Sequence, residues 1–348
     1  MRQKKSTLDI QLTASILRAF HQNLPEWFIQ NRRDLPWRRN RNTYTTTVSE
    51  LMLQQTQVTT VIPYFNRWLE KFPSWPELAQ ASEEKVLKAW EGLGYYRRAR
   101  FLHALAKVVT YEYKGKLPND VATLQKLPGI GPYTAGAISS LAYNQSSAIL
   151  DGNIERVLCR VFNLSLNVSE SKNKKALFSL SSRLLPPESS PEPRIFNEAL
   201  MELGALVCSP RKPQCLICPL QEICQAKDPE KIPVKSRMKT IPETMVVPLV
   251  EKQGKLLILE PSESGRWKGF HRFPFYDQKA FSLDEKFATF TFNITKYKIT
   301  AHLHHAQLNT APKPQPFIWL SPEELTQLPL PNPQRKILML YKNKVASQ

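Results

Sequence analysis

The chain has 348 residues, of which 42% are apolar, 10% aromatic and 22% charged, so two or three domains with sizeable cores are expected and wholesale disorder is not. Its 48 Lys and Arg against 30 Asp and Glu leave a net charge of +18, which points to a polyanionic partner such as DNA, RNA or an anionic membrane surface. The longest apolar runs are far shorter than the roughly 20 residues of a spanning helix, and no apolar segment follows the basic N-terminus, so neither membrane insertion nor export is expected.

The first 227 residues carry helical patterns. Apolar residues recur at helical spacing from residue 8 to about 227, and short breaks that contain Pro and Gly separate the helices. Residues 228–243 differ, because they are rich in Pro and Lys and show little apolar periodicity. An all-α region followed by an exposed linker is therefore predicted.

The last hundred residues carry strand patterns. Apolar runs at 245–250 and 255–260 flank Gln253-Gly254 and predict a hairpin, and further strands are predicted at 287–294, 297–303 and 317–320. Ser321-Pro-Glu-Glu324 has the form of a capping box that opens a short helix, and 334–342 predicts a terminal helix. This part is therefore expected to be an α+β domain.

Two acidic residues stand in apolar surroundings. Glu50 lies among Val48, Leu51 and Met52, where a carboxyl resists ionisation and could donate a proton near neutral pH; a solvated surface acid is the alternative. Asp151 directly precedes an apolar helix, so its simplest interpretation is an N-cap. A cap and a catalytic role are compatible.

Residues 127–137 join two helical patterns through the turn Gly129-Ile130-Gly131. Pro132 suits the first position of the second helix. Glycines let the backbone approach a phosphate closely, and the free N–H groups of a helix start are donors for it. An ordinary helix–turn–helix corner is the alternative, but the net charge favours a DNA contact.

Four of the five cysteines fall within seventeen residues, with the spacing C-x6-C-x2-C-x5-C: Cys208, Cys215, Cys218 and Cys224. In a chain of this length they do not resemble a disulfide framework. Only one C-x2-C pair is present, whereas zinc sites usually have two, so the spacing favours a [4Fe–4S] cluster; a tetrahedral zinc and unpaired thiols are the alternatives. The fifth, Cys159, is expected in a helical core.

Six segments and the four cysteines carry a resemblance: Leu35-Pro36-Trp37-Arg38, 48–58, 92–96, 127–137, Leu150-Asp151-Gly152-Asn153 and 196–200. Together they resemble the helix-hairpin-helix DNA glycosylases of the endonuclease III superfamily, and within it the adenine DNA glycosylase (MutY) branch. The resemblance implies an all-α catalytic domain over 1–227, a linker over 228–243 and an α+β nudix-like domain over 244–348 for opposite-base recognition. Within the first, 30–140 would be a six-helix DNA-binding module, and 1–29 with 141–227 an iron–sulfur module whose cluster loop is 208–224.

The resemblance also implies a reaction and its residues. The enzyme would hydrolyse the N-glycosidic bond of adenine mispaired with 8-oxoguanine or guanine in double-stranded DNA, leaving an abasic site. Glu50 would protonate the adenine N7, Asp151 would stabilise the cationic sugar, and Tyr133 would lie beside that sugar. The DNA and the extruded adenine would be contacted by Arg38, Gln55, Thr56, Tyr95, Gly129, Gly131, Asn153 and Glu198. Arg38 and Glu198 would line the adenine pocket, and Gln55 and Tyr95 would wedge into the duplex.

The branch further implies one [4Fe–4S] cluster on the four cysteines, no membrane contact and a monomer, either cytoplasmic and nucleoid-associated in a bacterium or nuclear or mitochondrial otherwise. Related endonuclease III enzymes carry a Lys where this chain has Tyr133, so a bifunctional pyrimidine glycosylase/lyase is disfavoured. A non-catalytic iron–sulfur DNA-binding protein would need neither Glu50 nor Asp151.

The C-terminal part departs from the family in two ways. It lacks the signature of nudix hydrolases, so nucleotide pyrophosphate hydrolysis is not expected. The family's Phe-Ser-His loop corresponds to Phe292-Asn293-Ile294, or in another register to Phe290-Thr291-Phe292, and neither retains the His. Discrimination of 8-oxoguanine from guanine is therefore expected to be weaker or to rest on other residues.

Overall fold

The chain divides into two compact units, the first within Met1–Gln80 and Phe101–Ser236 and the second within Ala81–Arg100 and Arg237–Gln348. The structure, a computed structural model, describes residues 8, 10–187, 192–234, 236, 239–311 and 316–346. Parts of the predicted iron–sulfur module (1–7, 9 and 188–191), of the predicted linker (235, 237 and 238) and of the predicted nudix-like domain (312–315, 347 and 348) lie outside the described residues. No described helix is long and apolar enough to cross a membrane.

The predicted helical region is confirmed. Its helices are α1 (Ala14–Arg18), α2 (Leu24–Asn31), α3 (Pro36–Arg39), α4 (Thr43–Leu53), α5 (Val58–Lys71), α6 (Trp75–Gln80), α7 (Glu83–Ala89), α8 (Arg97–Tyr111), α9 (Val121–Leu124), α10 (Pro132–Ala137), α11 (Gly152–Val161), α12 (Ser171–Arg183) and α13 (Pro193–Leu206). π-Helical turns at Ala19–Asn23 and Ile138–Ala142 extend α1 and α10. Helix α7 and the first turn of α8 belong to the second unit.

The core of the first unit lies around α2, α11 and α13. Phe20, Phe28, Ile154 and Leu200 are fully buried there. Cys159 is also fully buried in this core, as predicted, and it is 0% exposed. Burial of these side chains fixes α11 against α13, and the start of α11 is where Asp151 lies.

Local capping sets where the site-bearing helices begin. Asn42 accepts a hydrogen bond from the Thr45 amide (2.9 Å), and the Thr45 hydroxyl accepts one from the Asn42 amide (3.0 Å), which forms a capping box at the start of α4. Asp151 caps α11 in the same position. Side-chain oxygens at an N-cap satisfy amides that the helix itself leaves unpaired.

The second unit contains two three-stranded sheets, which confirms the predicted change to α+β. Its strands are β1 (Ile241–Leu249), β2 (Glu251–Lys252), β3 (Lys255–Leu259), β4 (Phe281–Ile294), β5 (Tyr297–Leu308) and β6 (Phe317–Leu320), and its C-terminal helices are α14 (Pro322–Gln327) and α15 (Asn332–Val345). One sheet has the order β1-β5-β4, with β1 parallel and β4 antiparallel to β5, and the other has the antiparallel order β2-β3-β6.

Both predicted turns of this unit are present, but the predicted hairpin has a different first strand. Residues 245–249 lie in β1, which pairs in parallel with β5, and the strand that forms the hairpin with β3 is β2. Gln253 and Gly254 have φ values of 52° and 72° between β2 and β3, the left-handed pair that a two-residue hairpin requires. The Ser321 hydroxyl accepts from the Glu324 amide (3.1 Å), and the Glu324 carboxylate accepts from the Ser321 amide (2.7 Å). This reciprocal pair is the predicted capping box of α14.

The segment predicted to be an exposed linker is only partly exposed. Ile232 is 6% exposed and belongs to the core of the first unit, and Val234 pairs with Asn167 in an isolated parallel bridge. Strand β1 already begins at Ile241. The sequence does not reveal these contacts, because a single buried apolar residue among Pro and Lys produces no helical or strand periodicity.

Candidate active site

A cleft of about 850 Å³ in the first unit gathers most of the predicted site residues. The predicted residues that line it are Arg38, Glu50, Gln55, Thr56, Gly129, Gly131, Tyr133, Asp151, Asn153 and Glu198. Tyr95, which was predicted to act on the same DNA, belongs to the second unit. The segments that the sequence separates by up to 160 residues therefore converge on one cavity.

Glu50 faces this cleft from the middle of α4. Its carboxyl is buried (6% exposed) and accepts a hydrogen bond at Oε2 from the Tyr133 hydroxyl at 2.8 Å. Burial raises the pKa of Glu50 to about 7; the charges of Asp151 and Glu198 add to the rise, while the Tyr133 hydrogen bond and the charge of Arg41 oppose it. The structure thus excludes the solvated surface acid and leaves a carboxyl that is protonated in part near neutral pH.

Asp151 is both a helix cap and a residue of the cleft. Its Oδ1 accepts hydrogen bonds from the amides of Asn153 (3.0 Å) and Ile154 (2.8 Å), and its Oδ2 accepts one from the Asn153 side chain (3.0 Å). Burial raises the pKa of Asp151 above its usual value, and these three donors oppose the rise without cancelling it. Since all three partners donate, they favour the ionised form of this carboxylate.

Asn153 is held in turn by Arg156, one turn further along α11. The Arg156 guanidinium donates to the Asn153 side-chain oxygen at 2.9 Å, to the Gly204 carbonyl at 2.6 Å and to the Cys208 carbonyl at 2.7 Å. Gly204 on α13 lies against Asn153 so closely that a Cβ there would fall 2.6 Å from the Asn153 Cβ. The start of α11 is thereby fixed from two sides.

A largely buried ion-pair network also lines the cleft. Arg38 pairs with Glu198 (3.0 Å) and Glu202 (3.1 Å), Arg41 pairs with Glu198 (2.8 Å), and Arg33 binds Glu202 through two parallel bonds of 2.9 Å. Although burial acts to raise the pKa of Glu202, the hydrogen bonds from Arg33 and Arg38 lower it to about 2. Glu198 therefore faces the cleft with its orientation set by two guanidinium groups.

Three residues of this network, Arg33, Arg41 and Glu202, were not predicted. Glu202 follows Glu198 by four residues on α13, which is the spacing of neighbours on one helix face, and this was the one available signal. Arg33 and Arg41 stand in the basic stretch 32–41, where the sequence does not distinguish a cleft residue from a solvated one. Met201 also lines the cleft, and its sulfur accepts a contact from the Tyr133 hydroxyl at 3.7 Å.

The predicted hairpin is present between α9 and α10. Gly129 has a φ of 73°, and a Cβ there would lie 2.4 Å from the side chain of Phe101, so the position accepts only glycine. Gly131 is the N-cap of α10, with Pro132 at the first helical position and nothing within 4 Å of the place where a Cβ would stand. The start of α10 is therefore open to a ligand that approaches the backbone.

The residues predicted to enter the duplex lie on exposed turns. Gln55 follows α4 with a φ of 56° and an exposed side chain, and Thr56 is half-buried beside it. Tyr95 is 53% exposed with a φ of 49°. A left-handed backbone at two exposed, non-glycine side chains indicates that the surrounding structure holds both turns in place.

The two segments that could correspond to the family's Phe-Ser-His loop both involve β4. The segment of the second register, Phe290-Thr291-Phe292, lies inside this strand. Residues 292–294 of the first register end this strand, next to the turn at Thr295 and Lys296. The Asn293 side chain is exposed, whereas Phe292 and Ile294 pack partly against the core of the second unit.

The four clustered cysteines line a second cavity of about 150 Å³, together with Arg160. In the described ranges, no three His, Cys, Asp or Glu side chains are gathered closely enough to hold a single metal ion. Arg160 donates to the Cys208 sulfur at 3.4 Å and to the carbonyls of Ser209 (2.7 Å) and Pro210 (3.0 Å), so it fixes the loop that carries the first thiol.

Two family models match parts of this chain. Residues 48–186 match the family described as the HhH-GPD superfamily base excision DNA repair protein, and residues 208–224 match the iron-sulfur binding domain of endonuclease III. The cysteine loop is therefore an iron–sulfur binding segment. A solved structure, a thermostable thymine-DNA glycosylase, superposes with a TM-score of 0.55 and 30% identity over 62% of this chain and 98% of its own.

Curated relatives extend the match to the rest of the chain. The adenine DNA glycosylase of Rattus norvegicus is 46% identical over 217 residues, which are 60% of this chain and 42% of that protein, so the chain spans less than half of this mammalian relative. The adenine DNA glycosylase of Buchnera aphidicola subsp. Schizaphis graminum is 33% identical over 348 residues, covering 93% of this chain and 99% of that protein. With a match of that extent, the chain belongs to the adenine DNA glycosylase family.

Proposed function

We propose that this protein is a monofunctional DNA glycosylase that hydrolyses the N-glycosidic bond of adenine in A:8-oxoguanine and A:G mispairs of double-stranded DNA. The observation that carries the proposal is the pair of carboxyls on one cleft, Glu50 with a pKa of about 7 and Asp151 with three donors. Cleavage of a glycosidic bond needs one carboxyl that gives a proton and another that faces positive charge. Membership of the adenine DNA glycosylase family supports adenine as the base.

The proposed reaction assigns one step to each carboxyl. Glu50 transfers its proton to the adenine N7, and the bond between C1′ and N9 then breaks with its electron pair leaving on adenine. The ionised Asp151 stabilises the positive charge that develops on the sugar. A water molecule adds its oxygen to C1′ and gives up a proton, which restores the protonated Glu50, so the products are free adenine and an abasic site.

The adenine must leave the stack before this chemistry, and a mispaired base costs less to extrude. We assign adenine contact to Arg38 and Glu198, a position beside the sugar to Tyr133, and entry into the duplex to Gln55 and Tyr95. Thr56, Asn153, Gly129 and Gly131 would hold the strand, the glycines through backbone contact with phosphate. The net charge of +18 would attract the duplex.

The side chain at position 133 supports a glycosylase that does not cleave the strand. A phenol cannot form the Schiff base by which a lysine amine opens the sugar, so the abasic site is left intact. Tyr133 also points its hydroxyl at Glu50 rather than at open solvent, which suits a positioning role at the acid.

We propose that the iron–sulfur segment holds one [4Fe–4S] cluster through Cys208, Cys215, Cys218 and Cys224. Bound there, a cluster would cross-link the loop and contribute to the folding free energy. The four thiols on one cavity and the hydrogen bond from Arg160 to the Cys208 sulfur support this assignment. Purified protein should be brown, with absorbance near ~400 nm and about four iron atoms per chain; a colourless protein with one zinc would overturn it.

Two duplexes test the activity. An A:8-oxoguanine duplex and a duplex with an oxidised pyrimidine are incubated with the protein, each with and without alkali. Cleavage at adenine only after alkali supports the proposal, cleavage at the pyrimidine without alkali supports the bifunctional alternative, and no product supports a non-catalytic protein.

Glu50→Gln should abolish adenine release and keep duplex affinity, whereas Glu26→Gln, at an exposed acid of α2, should change neither. Adenine release by Glu50→Gln at the wild-type rate would remove Glu50 as the acid.

The opposite base is tested on the same protein. Because Asn293 stands where the family carries the middle residue of Phe-Ser-His and no His follows, we expect a smaller preference for 8-oxoguanine over guanine than an enzyme with that loop shows. Single-turnover rates on A:8-oxoguanine and A:G duplexes give the ratio. Ile294→His restores the histidine of the family's loop. If this variant leaves the ratio unchanged, the loop does not determine the discrimination between 8-oxoguanine and guanine.

A further inference from the structure

The loop that carries Tyr95 joins α7 to α8 in the second unit, and its backbone is held in an unusual conformation. Gly92, Gly94 and Tyr95 have φ values of 103°, 71° and 49°. The ring of Tyr95 is 53% exposed although it is a large aromatic group. A left-handed aromatic residue on an exposed loop costs conformational energy, so contacts elsewhere must hold it.

The inner side of this loop is fixed by two side chains of its own helices. The Trp90 indole donates to the Gly94 carbonyl at 3.1 Å, and the Arg98 guanidinium donates to the carbonyls of Leu93 (3.2 Å) and Gly94 (3.1 Å). The same guanidinium lies 5.6 Å from the centre of the Tyr95 ring. These bonds set the shape of the loop but leave its two ends to be fixed by other parts of the unit.

Both ends of the loop are bound to one residue of the C-terminal segment, Leu330. The Glu91 carboxylate accepts a hydrogen bond from the Leu330 amide at 3.0 Å, and the Tyr96 hydroxyl donates to the Leu330 carbonyl at 3.0 Å. Glu91 is buried and also pairs with Lys88 at 2.8 Å and with Arg335 of α15. The loop is thus clamped to a position more than 230 residues away in sequence.

Leu330 is itself a core residue. It is 2% exposed, and it lies between α14 and α15 in the core that β1, β3 and β5 also form. The Tyr96 ring packs edge-on against Phe270, with the ring centres 4.6 Å apart. A loop bound to both backbone groups of a buried residue must follow any displacement of that core.

From these contacts we propose that Glu91 and Tyr96 are positioning residues that couple the C-terminal part of the second unit to Tyr95, so that this part helps to set how far the duplex is opened at the target adenine. The inference rests on the proposed function, in which Tyr95 enters the duplex. Removal of either clamp should lower adenine extrusion while the loop and the unit stay folded.

Tyr96→Phe tests the clamp, because it removes one hydroxyl and keeps the ring on Phe270. Extrusion is read from the fluorescence of 2-aminopurine placed beside adenine in an A:8-oxoguanine duplex, with Glu50→Gln as the background so that no base is released. We expect Tyr96→Phe to lower the extrusion equilibrium at least fivefold in this background. It should have no further effect once Tyr95→Ala has removed the wedge.

Tyr341→Phe is the matched control, since Tyr341 is a buried tyrosine of the same unit whose hydroxyl donates to Glu251 at 2.7 Å, away from the loop. It should leave extrusion unchanged. Glu91→Gln provides a second variant with the same expected direction, and the thermal midpoint of every variant is measured to exclude unfolding.

Three outcomes would overturn the inference. Unchanged extrusion in folded Tyr96→Phe and Glu91→Gln would show that the clamp does not act on Tyr95. A loss of the same size with and without Tyr95→Ala would show that the clamp only stabilises the fold. If the Glu50→Gln protein with an intact clamp extrudes no adenine at all, the proposed function fails and this inference with it.

Discussion

The Tyr133 hydroxyl lies 2.8 Å from Oε2 of Glu50 and donates a hydrogen bond to it across the cleft. The two residues come from α10 and α4, 83 positions apart in sequence. Burial raises the pKa of Glu50, and this hydrogen bond counteracts part of the rise. A single hydroxyl therefore supplies one of the effects that lower the proton affinity of this acid, while burial and the nearby carboxylates raise it.

Tyr133→Phe should shift the pH dependence of adenine release. Glu50 must be protonated to act as the acid, so the wild-type rate should fall as pH rises through about 7. Without the hydroxyl, the carboxylate loses a donor and the pKa of Glu50 rises further, which moves the alkaline limb to higher pH. Single-turnover rates between pH 5.5 and 9 locate the alkaline limb of the wild type and that of Tyr133→Phe.

The maximal rate of the same variant is also expected to fall, because the carboxyl loses the contact that orients it. Tyr143→Phe removes a hydroxyl that bonds a main-chain carbonyl of Leu117, away from the cleft, and serves as the control. An alkaline limb of Tyr133→Phe at lower pH than that of the wild type would contradict the sign of this hydrogen bond.

Glu50→Gln should stabilise the folded protein at alkaline pH. The folded-state pKa of Glu50 is about 7 against an ordinary 4.5, so the protonated form is favoured by folding and stability is lost as pH rises through about 7. Gln keeps an acceptor for Tyr133 and carries no charge to bury. The free energy of unfolding should rise by up to roughly 3 kcal/mol at pH 8.

Urea unfolding at pH 5.5 and pH 8 tests this, because the gain should be much smaller at the lower pH. Glu26→Gln, at an exposed acid, should show no such pH-dependent difference. A Glu50→Gln protein that is less stable than the wild type at pH 8 would mean that the ionised carboxylate is well solvated in the folded state.

Glu202→Gln should destabilise the first unit. The Glu202 side chain is 2% exposed and neutralises Arg33 and Arg38, so its removal takes the paired carboxylate from Arg33 and leaves Arg38 only Glu198, which Arg41 shares. Breaking a buried pair costs roughly 3 kcal/mol or more. We expect the low end of that cost here, because the Arg33 side chain is 34% exposed.

Because the pKa of Glu202 is about 2, its contribution is complete above pH 4.5 and is lost only as pH falls toward that value. The difference between Glu202→Gln and wild type in urea unfolding should therefore be constant from pH 6 to pH 9. If the difference in unfolding free energy changes over this range, a titrating group other than Glu202 causes it.

The sequence predicts the residues that act through local motifs and misses those defined by distant partners. Glu50 and Asp151 are recognisable because an acid in an apolar stretch and an acid before a helix are both local patterns. The Arg33–Glu202 pair is not, since its two members stand 169 residues apart in stretches rich in charge. Burial against a distant segment, rather than residue type, gives them their place in the cleft.

The division of the chain into units shows the same limit. Residues 81–100 have helical patterns like those of their neighbours, and nothing in them indicates that they belong with the C-terminal unit. The contacts of Glu91 and Tyr96 with Leu330 are among those that join this segment to the C-terminal part, and each is a single hydrogen bond across more than 230 residues. Periodicity reports which face of a helix is buried but not which partner buries it.

Gly204→Ala should reduce adenine release much more than it reduces stability. A methyl group at this position would lie 2.6 Å from the Asn153 Cβ and 3.1 Å from its Cα and carbonyl oxygen. Two of these atoms are main chain and cannot rotate away, so the start of α11 must move by several tenths of an ångström. Asn153 would carry Asp151 with it, because its side chain and amide both donate to that carboxylate at 3.0 Å.

A misplacement of about 1 Å at a reacting group costs on the order of 100-fold in rate, so a loss of at least tenfold in the single-turnover rate is expected. Overpacking costs about 1–3 kcal/mol, which the better helix propensity of Ala offsets by about 1 kcal/mol. Gly152→Ala, where an added Cβ meets nothing within 4 Å, is the control for folding and should unfold like the wild type. A Gly204→Ala protein with the wild-type rate would show that α11 and α13 can separate without displacing Asp151, and that the close contact between them does not set the catalytic geometry.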